Sequence, residues 1–199
     1  PPLGVRGFAP PEERSSRNEA CATLLRGMSF KHPLATAWTF YYEPDAHSRA
    51  RSKHWLDSLT KLPSVAAVED FWALWSMLPK PSLLHDSSVY LFRSDRAPCW
   101  ERWSEGGKWV VTGTALDVDA AWESLCLAML GEQLHDPEDV CGGVCNAGRL
   151  AVWTRGASSE QQSALLRELL GLTLEDKLTF KLHVASKGVQ VTRPPPRPD

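Results

Sequence analysis

Apolar positions along this chain change period several times, and each change marks an element. Leu34 to Tyr42 is rich in β-formers and ends at Glu43-Pro44, a turn signal. Leu56 to Leu62 reads as a second short strand. From Ser64 the apolar residues take helical spacing, which runs to Leu78 and stops at Pro79 and Pro81. Val89 to Phe92 is a strand, and so is Lys108 to Thr112, after Gly106-Gly107. Asp117 can cap a helix through Leu130, with Gly131 just past its end. Val140 to Asn146 and Arg149 to Arg155 read as strands joined by a tight hairpin at Ala147-Gly148. Ser158 or Ser159 can cap a helix through Leu170, closed by Gly171, and Lys177 to Val184 alternates as a last strand. Strands outnumber helices, and the helices fall between strand groups. The expectation is an α+β domain, one curved antiparallel sheet with helices on one face.

The ends break the pattern. Residues 1–28 are rich in Pro, Arg, Glu and Ser without a sustained period, and are expected to form a mobile arm. The tail from 188 to 199 ends in Arg193-Pro194-Pro195-Pro196-Arg197-Pro198, an extended polyproline pattern. Between them, 29–187 is expected to be one domain. The 199 residues suffice for one well-buried core and not for two ordinary domains. No apolar run reaches the ~18 residues of a membrane-spanning helix. The opening Pro1-Pro2-Leu3-Gly4 does not look like a signal peptide. A cytoplasmic monomer is expected.

Charge and cysteines narrow the chemistry. The formal net charge is -2, so a general RNA coat is excluded and any nucleic-acid contact must be local and specific. The cysteines are Cys21, Cys99, Cys126, Cys141 and Cys145. Cys141 and Cys145 share one strand, which puts their Cα atoms roughly 13 Å apart. A disulfide needs them within about 7 Å. Neither has a second close Cys/His pair to complete a zinc site. Reduced, mostly buried thiols are expected, with no metal and no cofactor.

The 64–78 segment is more apolar than one helix on a sheet requires. Phe71, Leu74, Trp75 and Leu78 make the core stripe, and Val68 and Trp72 add a second line beside it. Either the buried face is wide, or an indole is left out to receive an amphipathic helix. Glu69 and Asp70 would then edge that groove and favour a basic partner.

Trp55 lies in a polar loop among Arg49, Arg51, Lys53 and His54, and Trp100-Glu101 follows Pro98 in another loop. Each could be a loop anchor covering the core; the pair suggests a second use. A cationic purine such as 7-methylguanine gains stacking and cation–π energy between two indole faces. A carboxylate beside it can accept both protons of the guanine edge. Attached phosphates need Lys or Arg, a role open to Lys108 and Arg149 if their strand ends converge.

Several short motifs, in order, resemble the translation initiation factor 4E family. They are His32-Pro33-Leu34 with Trp38, Lys53-His54-Trp55, Val68-Glu69-Asp70-Phe71-Trp72-Ala73-Leu74-Trp75 and Pro98-Cys99-Trp100-Glu101. Gly106-Gly107-Lys108-Trp109, Gly131-Glu132, Asp139-Val140-Cys141-Gly142 and Arg149-Leu150-Ala151-Val152-Trp153-Thr154 continue the series. The resemblance covers roughly residues 30–185. It implies a cupped antiparallel sheet of about eight strands with three helices on the convex back. It implies a non-catalytic protein that binds the 7-methylguanosine cap of mRNA. In that reading Trp55 and Trp100 sandwich the base, Glu101 reads its edge and Trp153 lies against the N7-methyl group. Arg149 and Lys108 take the phosphate positions. On the back, His32, Pro33, Val68 and Trp72 match the groove for a Tyr-x-x-x-x-Leu-apolar helix from a 4G-type scaffold or a 4E-binding repressor.

Three departures stand out. The Asn146–Arg149 connection is several residues shorter than usual and lacks two further phosphate cations, so a weaker phosphate grip follows unless Arg51, Lys53, Arg155 or Lys187 compensates. Lys108 replaces an arginine and loses its planar fork. Glu123 stands where the groove has leucine, which points to unusual partner choice. Such drift implies a divergent paralogue, with a kinetoplastid source as one expectation. A cap-binding repressor that does not engage the usual scaffold is the main alternative. An enzyme lacks support, because no Nudix-type run, His triad or Gly-rich phosphate loop is present and the six histidines are scattered. A sugar platform would ignore both the methyl charge and salt.

Overall fold

A computed structural model describes residues 31–44, 55–99, 103, 105–113, 116–146, 148–157 and 159–183, with Trp55 placed by its backbone. The expected arm at 1–28 and tail at 188–199, and the residues Trp100 and Glu101, lie outside the described residues.

The strands are β1 (Pro33–Glu43), β2 (Thr60–Ala67), β3 (Ser88–Arg93), β4 (Gly107–Thr112), β5 (Val140–Asn146), β6 (Arg149–Thr154) and β7 (Lys177–Leu182). The helices are α1 (Val68–Trp75), α2 (Val118–Leu130) and α3 (Glu160–Leu169), with short 3-10 turns at Trp55–Ser58 and Pro81–Leu83. All strand pairs are antiparallel, in the order β2-β1-β3-β5-β6-β4-β7. The curved sheet with helices on its back agrees with expectation, with seven strands among the described residues.

Two-residue alternation divides the sheet. Trp38, Phe40 and Tyr42 of β1, Val89 and Leu91 of β3, Trp109 and Val111 of β4, and Leu150 and Val152 of β6 enter the core beneath the helices. Phe71 and Leu74 of α1, Trp122 and Leu125 of α2, and Leu166 of α3 close that core from above. Tyr41, Tyr90, Phe92, Cys141, Ala151 and Trp153 point the other way and form a second cluster on the open, concave face.

Local signals explain most boundaries. The Asp117 carboxylate accepts from the backbone N–H groups of Asp119 and Ala120, and α2 ends at Gly131 as the sequence predicts. Ser159 caps α3 by accepting from the Gln162 N–H. The β5–β6 hairpin closes at Asn146↔Arg149, with Gly148 at φ +76°, a conformation glycine adopts without steric cost. The expectation fails at α1. Ser64 to Ala67 belongs to β2, because Ser64, Val65 and Ala67 pair with Thr39, Trp38 and Pro33 of β1. The helix begins four residues late, at Val68, without a side-chain cap. Pairing with a long neighbouring strand overrode the helical spacing.

Arg93 is the unexpected core residue, at 2% exposure. Its guanidinium donates to the Val140, Pro137 and Thr36 oxygens and to the Glu132 carboxylate, and lies 4.9 Å from the Trp38 ring centroid. It thereby ties the 131–140 connection to β1 and β3. Removing a buried charge partner leaves its acceptors stranded, so Arg93→Ala should cost about 3 kcal/mol in a denaturant melt. A loss below about 1 kcal/mol would contradict this role.

Candidate functional site

Strand register sorts the open face into rungs. One runs Thr39–Phe92–Gly142–Trp153–Lys108–Lys181 across six strands. The next runs Tyr41–Tyr90–Val144–Ala151–Val110–Thr179. A third joins Glu43, Ser88, Asn146 and Arg149.

Trp153 is buried in this floor. The Phe92 ring meets it edge-on at 5.4 Å, and His183 lies against it at 4.7 Å. Gly142 makes the first contact possible. A Cβ there would stand 2.5 Å from the Phe92 ring and 2.4 Å from the Leu91 carbonyl oxygen. The Lys108 ammonium sits 5.7 Å from the centre of the Trp153 ring. Burial, and secondarily the Lys108 charge, hold the His183 imidazole below its ordinary pKa, so it is neutral at pH 7.

Lys108 and Arg149 share a face but not an end. Lys108 is the second residue of β4 and Arg149 the first of β6, the strands run antiparallel, and Arg149 lies four residues from the Lys108 partner Trp153, roughly 13 Å along β6. The two cations therefore bracket the floor rather than converge. Of the candidates for compensation, Arg155 follows β6, its backbone N–H donating to the Asp139 carbonyl. Arg51, Lys53 and Lys187 lie outside the described residues.

Described neighbours of the two proposed stacking positions reach this face. Trp55 opens the turn whose successor, Leu59, packs into the open-face cluster, and Trp103 joins the same cluster just after Trp100-Glu101. Sequence reading missed Glu43. It is 1% exposed, its carboxylate accepting from Tyr90 Oη at 2.8 Å and from Ser58 Oγ at 3.4 Å. This links the floor to the Trp55–Ser58 turn. A strand-end Glu before proline carries no sequence signal of burial.

On the helix face, Val68 and Trp72 are 40% and 42% exposed, while Phe71 and Leu74 are buried beneath them. The second apolar line thus faces outward. Leu127 of α2, which sequence reading missed, is also exposed, one turn beyond Glu123. Glu123 is half-buried and lines a cavity of about 510 Å3 with Trp75, Leu78, Leu84 and Asp119. Trp72 does not line it. The acids expected to attract a basic partner are engaged within the chain, Asp70 with Lys31 and Glu69 with His32.

Among the described thiols, Cys126, Cys141 and Cys145 are outside any disulfide, and burial pushes Cys141 and Cys145 up to about 12. They are poor nucleophiles and ligands at neutral pH. Among the described residues no His, Cys, Asp or Glu cluster could hold a metal ion. No described helix is long and apolar enough to cross a membrane.

A sequence model of eukaryotic initiation factor 4E matches residues 33–193. The chain belongs to the eukaryotic initiation factor 4E family. An initiation factor 4E of Candida glabrata is 35% identical over 166 residues, 77% of this chain and 78% of the relative. Initiation factor 4E1 of Drosophila melanogaster is 32% identical over 169 residues, covering 77% of this chain but only 63% of that relative, less than two thirds of its length. Among solved structures, the Caenorhabditis elegans factor 4E-3 complex with the 4E-binding protein Mextli and a cap analogue superposes with a TM-score of 0.68 at 29% identity, over 77% of this chain and 94% of that one. Ascaris suum 4E-3 with an m2,2,7G cap gives 0.68 at 29% identity, over 81% and 96%. In this family member five of the motifs cited above fall on β1, α1, β4, β5 and β6 of one sheet-and-helix unit.

One contact at the helix face is pH-dependent. Hydrogen bonds from the His32 side chain, then from its backbone N–H at 2.9 Å, lower the Glu69 pKa from 4.5 to about 2. A depressed carboxylate contributes stability above its unfolded pKa and loses it as pH falls. The melting-temperature difference between wild type and Glu69→Gln should hold steady above pH 4.5 and vanish near pH 2. A difference unchanged at pH 2 would place the effect elsewhere.

Proposed function

We propose that this chain binds the 7-methylguanosine cap of mRNA on its open face and a helical protein partner on its helix face. The observation that carries the first half is the Trp153–Lys108 pairing on an aromatic floor that Leu59 and Trp103 also join. Trp55 and Trp100 close over the methylated base from either side, and Glu101 accepts its N1–H and N2–H2 protons. Trp153 lies against the methyl group, and Lys108 and Arg149 take the phosphates at either end of the floor. The cap complexes of the nematode relatives support this ligand. The role is binding without catalysis, in the cytoplasm, at the initiation step of translation.

The second half rests on the exposure of Val68 and Trp72 over a buried Phe71–Leu74 row. With His32 and Pro33 at the start of β1, they receive one apolar face of a 4G-type scaffold or 4E-binding helix. The Mextli complex of the Caenorhabditis factor supports a partner of this kind. A second reading, a cap-binding repressor that fails to engage the usual scaffold, draws on Glu123. A half-buried carboxylate on α2 disfavours an apolar helix and rewards a basic residue at that point.

Losing one stacking ring should lower affinity about 30-fold. Trp55→Ala, Trp100→Ala and Glu101→Ala should therefore each fail to be retained on 7-methyl-GTP resin while keeping wild-type circular dichroism. Retention of folded Glu101→Ala at the wild-type level sinks the guanine-edge role.

Trp72→Ala should keep cap retention and lose capture of a Tyr-x-x-x-x-Leu peptide by at least about tenfold. Equal capture by both proteins would remove Trp72 from the partner face. Capture of repressor peptides but not of scaffold by the wild type would favour the second reading.

A further inference from the structure

The edge strand β7 carries a row of positions that the proposed cap contacts leave unused. Leu178 and Phe180 pack against the core, with the Phe180 ring 5.1 Å from Trp109. Alternation then turns Lys177, Thr179 and Lys181 to the open face, where all three are exposed. Register sets Lys181 directly across from Lys108, and Lys177 across from Thr112.

Like charges opposite one another in an antiparallel pair destabilise the sheet. Lys108 and Lys181 are such a pair, and no ion pair joins Lys177 or Lys181 to a carboxylate among the described residues. The chain is net negative, so positive charge gathered on one edge is not a consequence of composition. At the end of the row, His183 is 7% exposed, and its Nε2 has no hydrogen-bond partner among the described residues. It rests on Trp153 and places one more polar atom on the same wall. Edge lysines also guard strands against pairing with other chains. That role asks only for charge on the edge and not for alignment with Lys108.

We propose that Lys177 and Lys181 form a second row of phosphate-binding cations, carrying the polyphosphate bridge or the first phosphodiesters of capped RNA out over β7. The inference rests on the cap reading. Lys181 stands one strand, about 4.8 Å, outside Lys108, and about 10 Å from Trp153, within reach of a phosphate chain leaving the base. The two lysines lie roughly 13 Å apart along the strand, about the span of two phosphodiesters. They return positive charge that the short 146–149 hairpin does not supply.

The test compares wild type with Lys177→Ala/Lys181→Ala, using 7-methylguanosine, 7-methyl-GTP and a short capped oligonucleotide. Both residues are exposed, so the double variant should fold, which circular dichroism checks. Affinity for a phosphorylated ligand should fall about three- to tenfold, and for the nucleoside less than about twofold. Loss on 7-methyl-GTP assigns the row to the bridge, and loss on the oligonucleotide alone assigns it to the RNA backbone; either supports the proposal. Unchanged affinity for both phosphorylated ligands, or an equal fall for the nucleoside, overturns it while leaving the cap reading intact. A wild type that binds none of the three ligands overturns both.

Discussion

Each strand of the central sheet must bury one face under helices and present the other. That two-residue alternation is the constraint from which the rest follows. It sends Trp38, Phe40, Trp109, Leu150 and Val152 into the core and leaves Tyr41, Lys108, Ala151 and Trp153 on the open side. A slip of one residue in β4 or β6 would exchange Lys108 with Trp109, or Trp153 with Val152. Such a slip would bury a charge and expose an apolar side chain at once. The same packing that stabilises the fold therefore fixes which residues meet a ligand.

The open face concentrates what the composition conceals. A chain of net charge -2 places Lys108, Lys181, Lys177 and Arg149 on three adjoining strands. Its floor is aromatic, with Tyr41, Tyr90, Phe92 and Trp153 contributed by three strands. Buried Glu43 anchors the floor to the turn that begins at Trp55. Aromatic surface suits a purine, and its cationic border suits what a purine nucleotide carries behind it. The helix face has the opposite character, with exposed Val68, Trp72 and Leu127 above a packed core and nearby acids already paired.

Local elements were the most legible. The Asp117 cap, the Gly148 hairpin and the alternating β7 each rest on residues adjacent in sequence, so pattern alone finds them. The start of α1 was not legible, because Ser64 to Ala67 suits a helix locally and is drawn into β2 by β1. The buried Arg93 and Glu43 were hidden for a related reason. Their partners lie 15 to 57 residues away, and charged residues give no sign of burial. Trp153 and Lys108 were recognisable from family motifs, but their placement across adjacent strands required the register. So did Lys181, which is one of many surface lysines until it is seen opposite Lys108.

The central claim is that two indoles enclose a purine because it is positively charged. Intrinsic tryptophan fluorescence of the wild-type protein, titrated in parallel with GTP and 7-methyl-GTP, tests it most directly. The account predicts strong, saturable quenching by the methylated nucleotide and little by GTP at the same concentrations. Equal quenching by both, or by neither, would contradict it.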